Sequence, residues 1–434
     1  MSRGRNNFVG PIVWAICIAS VLLPGRLLAQ NYDSPGLGAM PVAAHPQDYK
    51  PLGVRAGAFM LHPGVSLAAQ YTDNALYATD GLQSDTIYHV RPYITGQSTW
   101  SRHSFNVRLA ADIARYADLT ERDYEDYFLG IGGRIDIANR SAFNYSLDYM
   151  NLHEGLNNRE SEQGVEPTRY DVYSASIGYD HTFNRLSLGG SYSWGRFDYD
   201  DVIGFDGEII DNQDRDRDQQ SFTLRAGYQF WVDKQLFISY SGYTTSFDQQ
   251  YDRNGYDRSG SGYTVSGGVR FSMTNMLNGS ISASYYSRDF DDPRLPSTSG
   301  WMLGGAGTFG LQFTPTDITT VYASVSSGLQ ETSDVNSTSY LSTTLALRVD
   351  HELTRSIQLN GFVAYGISDY QPIDPTAENL RTKDNTLRAG LGMNWFINRH
   401  MYLNASYGWH KLNSSVENDD YTVNTIWLTL GLEY

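Results

Sequence analysis

The last ten residues, Thr425-Ile426-Trp427-Leu428-Thr429-Leu430-Gly431-Leu432-Glu433-Tyr434, constrain the fold more than any other stretch. Ile426, Leu428, Leu430, Leu432 and Tyr434 share one face of an extended chain, and Thr425, Thr429, Gly431 and Glu433 share the other. This is the period of two that a pleated strand imposes, and one face requires an apolar environment. A strand that stops on an aromatic residue at its last pairing position is expected to close a barrel against the first strand. Leu428, Leu430, Leu432 and Tyr434 are then expected to carry the signal read by the barrel-assembly machinery.

Composition supports a strand-built membrane protein rather than a helical one. Hydrophobic residues make up 41% of the chain, and no apolar run after residue 30 is long enough for a membrane-crossing helix. Tyr, at 32 residues, outnumbers Phe, at 18, and Gly reaches 41, a mixture suited to strands with small residues on one face and amphipathic aromatics at an interface.

Residues 1–29 read as a secretory signal peptide, with Arg3 and Arg5 before an apolar core from Phe8 to Leu23 and cleavage expected before Gln30. The single cysteine, Cys17, lies inside it, so the mature chain is expected to have no disulfide, thiolate metal site or thiol nucleophile. Removal of the segment strips three arginines and no acid from a chain whose formal charge is already −16. Such acidity opposes binding to a phosphate backbone, so no nucleic-acid partner is expected.

Residues 30–56 are rich in Pro, Gly and Ala without either period and read as a flexible periplasmic leader; residues 57–434 read as the barrel. Alternating segments begin around Gly64, Asp85, His103, Tyr124, Phe143, Arg169, Arg185, Gln220, Gln235, Gly262, Leu277, Gly300, Thr319, Tyr340, Ser356, Asn385, Met401 and Tyr421. The expected fold is an all-β, transmembrane, antiparallel up-and-down barrel of eighteen strands, with sixteen as the rival count. Short connections such as Ala138-Asn139-Arg140, Phe183-Asn184-Arg185 and Ile397-Asn398-Arg399 alternate with long ones such as Glu154 to Pro167 and Asp198 to Asp218. Short turns are expected in the periplasm and long loops outside, which puts both termini in the periplasm. Related Arg-aromatic-acid runs at Arg122-Asp123-Tyr124, Arg196-Phe197-Asp198 and Arg288-Asp289-Phe290 repeat at the outer ends of strands.

The segment Pro51-Leu52-Gly53-Val54-Arg55-Ala56-Gly57-Ala58-Phe59-Met60-Leu61-His62-Pro63 is followed by Tyr71-Thr72-Asp73-Asn74, Arg115-Tyr116 and Tyr124-Glu125-Asp126-Tyr127. Further on come Tyr340-Leu341-Ser342 and Val349-Asp350-His351-Glu352-Leu353. In order and spacing these resemble the "putative beta-barrel porin 2" family of outer-membrane proteins across the whole mature chain. The resemblance implies a Gram-negative outer-membrane location. Because many members accompany exopolysaccharide or capsule genes, it also implies a role in passing or anchoring surface glycan, with polysaccharide-export components as partners. It brings no catalytic residues.

The inward face is expected to carry Arg91, Arg108, Asp112, Arg134, Asp136, Arg225, Arg270, Arg348, Asp350 and Arg388, together with Asp148, Asp180 and Glu433. These charges could form a constriction that orients polar solutes, or could pair to fill and rigidify the lumen, as Arg108 with Asp112, Arg134 with Asp136 or Arg348 with Asp350. Asp211, Asp214, Asp216 and Asp218 lie in a loop dense in the oxygen ligands that Ca²⁺ takes. The loop lacks the glycine and final glutamate of an EF-hand, so a solvated acidic loop is the competing reading. Trp100, Tyr127, Phe183, Trp194, Trp231, Phe271, Phe313, Tyr370, Trp395 and Tyr434 are expected in two interfacial girdles against lipid and lipopolysaccharide, while Tyr93 or Tyr322 could stack on sugars in the lumen. The histidines are scattered, and no nucleophile-base set, phosphate loop or cofactor motif is present, so neither enzyme chemistry nor a cofactor is expected. Three functions remain in play: polysaccharide passage or export, general diffusion of hydrophilic solutes, and a structural or adhesive barrel with a plugged lumen. Oligomeric state is open.

Overall fold

The computed structural model describes residues 47–434 except 157, 159–163, 275–276, 304–308, 317, 333, 335 and 378–379. The expected signal peptide and residues 30–46 of the expected leader lie outside the described residues.

Each alternating run becomes a strand. The first half of the wall comprises β1 (Phe59–Thr72), β2 (Asp85–Ser98), β3 (Ser104–Tyr116), β4 (Tyr124–Ala138), β5 (Ser141–His153), β6 (Arg169–Phe183), β7 (Leu186–Tyr199), β8 (Arg217–Trp231) and β9 (Lys234–Phe247). The second half comprises β10 (Gly260–Thr274), β11 (Leu277–Phe290), β12 in two segments (Thr298–Leu303 and Phe309–Thr316), β13 (Thr319–Glu331), β14 (Ser337–Thr354), β15 (Ile357–Pro372), β16 (Lys383–Asn398), β17 (Met401–Ser414) and β18 (Tyr421–Glu433). Both segments of β12 pair with β11. Sequence neighbours pair antiparallel throughout, and β18 returns to β1 from Gly64↔Glu433 to Thr72↔Thr425. The sheet therefore closes as a barrel of 18 strands. Pairing the last strand with the first leaves neither of them as a free edge in the lipid.

The expected alternation of turn length is present. β4 reaches β5 through Asn139 and Arg140 alone, and β8 reaches β9 through Val232 and Asp233. Arg140 (φ 67°) and Asp233 (φ 62°) take the left-handed conformation that such tight hairpins need. Beside these turns the register slips by a residue, at Asp136/Ala138 and at Gln229/Trp231, as in a bulged hairpin. The opposite end carries the long connections, including residues 154–168 and 200–216.

The pleat separates two environments. On β18, Ile426, Leu428 and Leu432 are exposed on the outer face, while Val423, Thr425 and Trp427 are buried on the inner one. Outward tyrosines mark the long-loop edge of the apolar band. Tyr127, Tyr149, Tyr192, Tyr365 and Tyr407 donate their hydroxyls to Glu125, Asp171, Gln220, Asn385 and Asn424, at 2.9, 3.1, 3.0, 3.0 and 2.6 Å. This keeps the ring in hydrocarbon and the polar tip toward the headgroups.

Three expectations are corrected. β1 begins at Phe59, upstream of Gly64, because Phe59–Leu61 pair with both Ser98–Gly96 of β2 and a short strand at Val54–Ala56. For the same reason the leader is not uniformly structureless. Tyr49 packs on the inward ring of Phe396 with centroids 6.0 Å apart, and Arg399 Nε donates to the Asp48 carbonyl at 3.1 Å. Finally, Tyr370 is not in a girdle: it shares the pleat face of Gln358 and Asn360 and is buried against Tyr340, with ring centroids 5.0 Å apart.

Candidate functional site: the charged lumen

Strand parity sends every expected lumen charge inward, but the partners differ from those that linear proximity suggests. Arg134 Nε donates to Asp136 Oδ1 at 2.8 Å, and Arg348 Nε to Asp350 Oδ1 at 2.8 Å. Both are i,i+2 pairs, one step along the same face. Arg108 does not pair with Asp112, because four strand residues put their Cα atoms about 13 Å apart. Arg108 instead places its guanidinium 5.3 Å from the Phe128 ring centre on β4. Arg270 donates to Gln235 Oε1 at 3.1 Å, and Arg225 has Arg270 and Asp180 as its charged neighbours.

Asp112 belongs to a cluster built from both ends of the chain. Its carboxylate lies 2.9 Å from Arg91 Nε and 3.0 Å from His89 Nδ1. His89 Nε2 is 3.3 Å from Gln70 Oε1, and its ring centroid is 5.0 Å from that of Trp427. The Arg91 guanidinium stands 5.1 Å over the same indole. Trp427 is only 1% exposed, so β18, β1, β2 and β3 are stapled together on the lumen side of the closing seam. Below this cluster, Tyr93 donates to Glu433 Oε1 at 2.6 Å, again across the seam. Sequence reasoning missed His89 and Trp427 as lumen residues. The parity that placed Thr425 and Thr429 inward carried the signal for Trp427, and the aromatic character of the residue masked it.

Between charged positions the wall from β5 to β11 is lined by hydroxyls that satisfy one another: Ser146 with Ser176 at 2.8 Å, Ser193 with Ser221 at 2.7 Å, Thr223 with Ser241 at 2.9 Å and Ser266 with Ser284 at 2.8 Å. The pattern follows from Ser and Thr alternating with apolar residues on paired strands, so that small hydroxyls meet across each ladder.

The acidic loop distributes its carboxylates among separate donors. Asp211 Oδ1 accepts from the Gln213 N–H at 2.9 Å, and Asp214 is forked by Arg253 at 3.0 and 3.1 Å. Asp216 accepts from the Tyr199 N–H at 2.7 Å, while Asp218 lies 3.6 Å from Arg196. Among the described residues no group of three or more His, Cys, Asp or Glu side chains is placed to hold a metal ion. Burial raises the Asp214 carboxyl, but hydrogen bonds from the Arg253 side chain and backbone outweigh it and hold the group below the usual range. Burial pushes Asp216 up to about 6; the Tyr199 N–H opposes this, and the Asp198 and Asp248 charges add to it.

The C-terminal set lies outward. Leu428, Leu432 and Tyr434 are exposed, Leu430 is half-buried, and the Tyr434 N–H bonds to the Pro63 carbonyl at 3.1 Å.

The family model described as "Putative beta-barrel porin 2" matches residues 45–434. The chain belongs to this family. No protein among the curated sequences compared matches it. Among solved structures it is similar to OpdL of Pseudomonas aeruginosa, with 10% identity and a TM-score of 0.45 over 87% of this chain and 98% of that one. It is also similar to OccAB3 of Acinetobacter baumannii, with 11% identity and a TM-score of 0.46 over 87% and 99%. A mutant form of the ferric enterobactin receptor PfeA of Pseudomonas aeruginosa gives 7% identity and a TM-score of 0.46 over 88% and 81%. Family and fold together make this a porin-like β-barrel of the Gram-negative outer membrane.

Proposed function

We propose that the barrel passes a polyhydroxylated chain, a polysaccharide, across the outer membrane, with long loops outside and both termini in the periplasm. The paired hydroxyls lining β5 to β11 carry this reading. A wall of mutually satisfied Ser and Thr exchanges weak hydrogen bonds with successive sugars without holding any one of them. A dense charge ladder would instead favour small ions. The glycan association implied by the family resemblance supports the same reading. Lipopolysaccharide, the assembly machinery and export components are the partners it requires.

A second reading, a structural barrel with a filled lumen, is favoured by the deep burial of inward residues such as Ser284 and Asn394, both 0% exposed. Planar-bilayer recording of the purified barrel separates the two. Stable conductance is expected, and a folded barrel that never conducts supports the structural reading. Gene deletion should abolish surface polysaccharide while leaving small-solute uptake intact; the opposite pattern would make it a general diffusion porin.

A further inference from the structure

At the long-loop end one carboxylate is tied to three strands on another part of the wall. Glu331, the last residue of β13, lies 3.1 Å from Arg217 Nε of β8. It also accepts from Arg288 of β11 at 3.1 Å and from the Thr245 hydroxyl of β9 at 3.2 Å. Both arginines are buried, at 6% and 4% exposure, and Arg217 stacks its guanidinium 4.5 Å from the Phe197 ring centre.

The wall itself cannot produce these contacts. β8 and β13 are five strands apart in the barrel order, about 24 Å along the sheet. The straight chord across the mouth is little shorter, and an arginine and a glutamate side chain cannot bridge it between two strands that keep to the wall. The end of β13 must therefore lean into the opening. A second fastening holds the chain just beyond it. Arg258, in the connection between β9 and β10, donates to the carbonyls of Thr332 and Ser337 at 3.0 Å each, and its Nε donates to Asp252 at 2.6 Å.

We propose that this knot is the size-selecting constriction of the lumen and that Glu331 is the residue that sets its width. The proposal rests on the reading of the barrel as a conduit. Two guanidiniums share one carboxylate, so removing that carboxylate takes their common counter-ion from two buried like charges. Arg217 and Arg288 then repel each other, the end of β13 loses its tether to β8, β9 and β11, and the mouth widens. Arg258 acts on the other flank, by holding backbone rather than by neutralising charge.

The test compares wild type, Glu331→Ala, Glu331→Gln and Arg258→Met in planar bilayers, each first shown to be folded by heat-modifiable gel mobility. The readouts are single-channel conductance and the largest polyethylene glycol that enters the pore, the second being insensitive to charge. Glu331→Ala and Arg258→Met are expected to raise conductance several-fold and to admit larger polymers, with Glu331→Gln intermediate. A wild-type barrel that is closed and opens on either substitution supports the proposal equally. If wild type conducts and the folded variants match it in both readouts, the constriction lies elsewhere and the proposal falls while the conduit stands. If no variant conducts, the conduit reading falls and takes the constriction with it.

Discussion

Trp427→Ala tests whether the seam is held from inside the lumen. The indole is almost fully buried, 5.0 Å from the His89 ring and 5.1 Å under the Arg91 guanidinium. Truncating a buried tryptophan costs about 3–5 kcal/mol in lost packing and cavity formation. Part of this is recovered, because Nε1 is buried without a hydrogen-bond partner and its removal relieves a desolvation penalty of about 1 kcal/mol or more. The net expectation is a loss of about 2–4 kcal/mol, read as a lower midpoint at unchanged slope in reversible guanidinium unfolding of the detergent-refolded barrel. Trp427→Phe keeps an aromatic ring against His89 and discards the unpartnered N–H, so it should cost less than about 1.5 kcal/mol. An unchanged midpoint for the alanine variant, or a phenylalanine variant as damaged as the alanine one, would refute the lumen-side staple.

Deleting residues 427–434 removes seven of the nine seam pairs with β1 and six of the twelve with β17, so outer-membrane assembly should stop; normal heat-modifiable barrel after the deletion would contradict the topology. The loop carboxyl of Asp216 has a folded-state pKa of about 6, above its ordinary 3.8. Its contribution to loop stability is therefore full below about pH 4 and declines as pH rises to about 6, the reverse of a salt-bridged aspartate. Hydrogen exchange of residues 200–216, corrected for the intrinsic rate, should quicken across that window in wild type and lose the dependence in Asp216→Asn.

The strand plan was legible because lipid imposes it. An apolar residue at every second position is the only pattern that satisfies both the bilayer and a polar lumen, and all eighteen expected segments fall on observed strands. Side-chain partnerships were legible only where they obey the pleat locally, as for Arg134 with Asp136. The Asp112 cluster depends on which residues stand opposite one another on β1, β2, β3 and β18, which no local pattern encodes. Glu331 is harder still. Its partners sit several strands away, and they meet it only because the end of β13 departs from the wall. Tyr370 shows the converse: an aromatic near a strand end is an interface residue only if its parity points outward.

The closing ladder differs from every other in chain length as well as in position. Each hairpin joins residues close in sequence, so its loop-closure entropy is small and its strands can register as soon as they form. The pairing of Gly64 with Glu433 spans nearly the whole described chain and involves nine registered pairs, against sixteen between β14 and β15. The entropic cost of meeting is highest here, so this junction is expected to form last. Until it forms, the wall stands open to the membrane between β1 and β18.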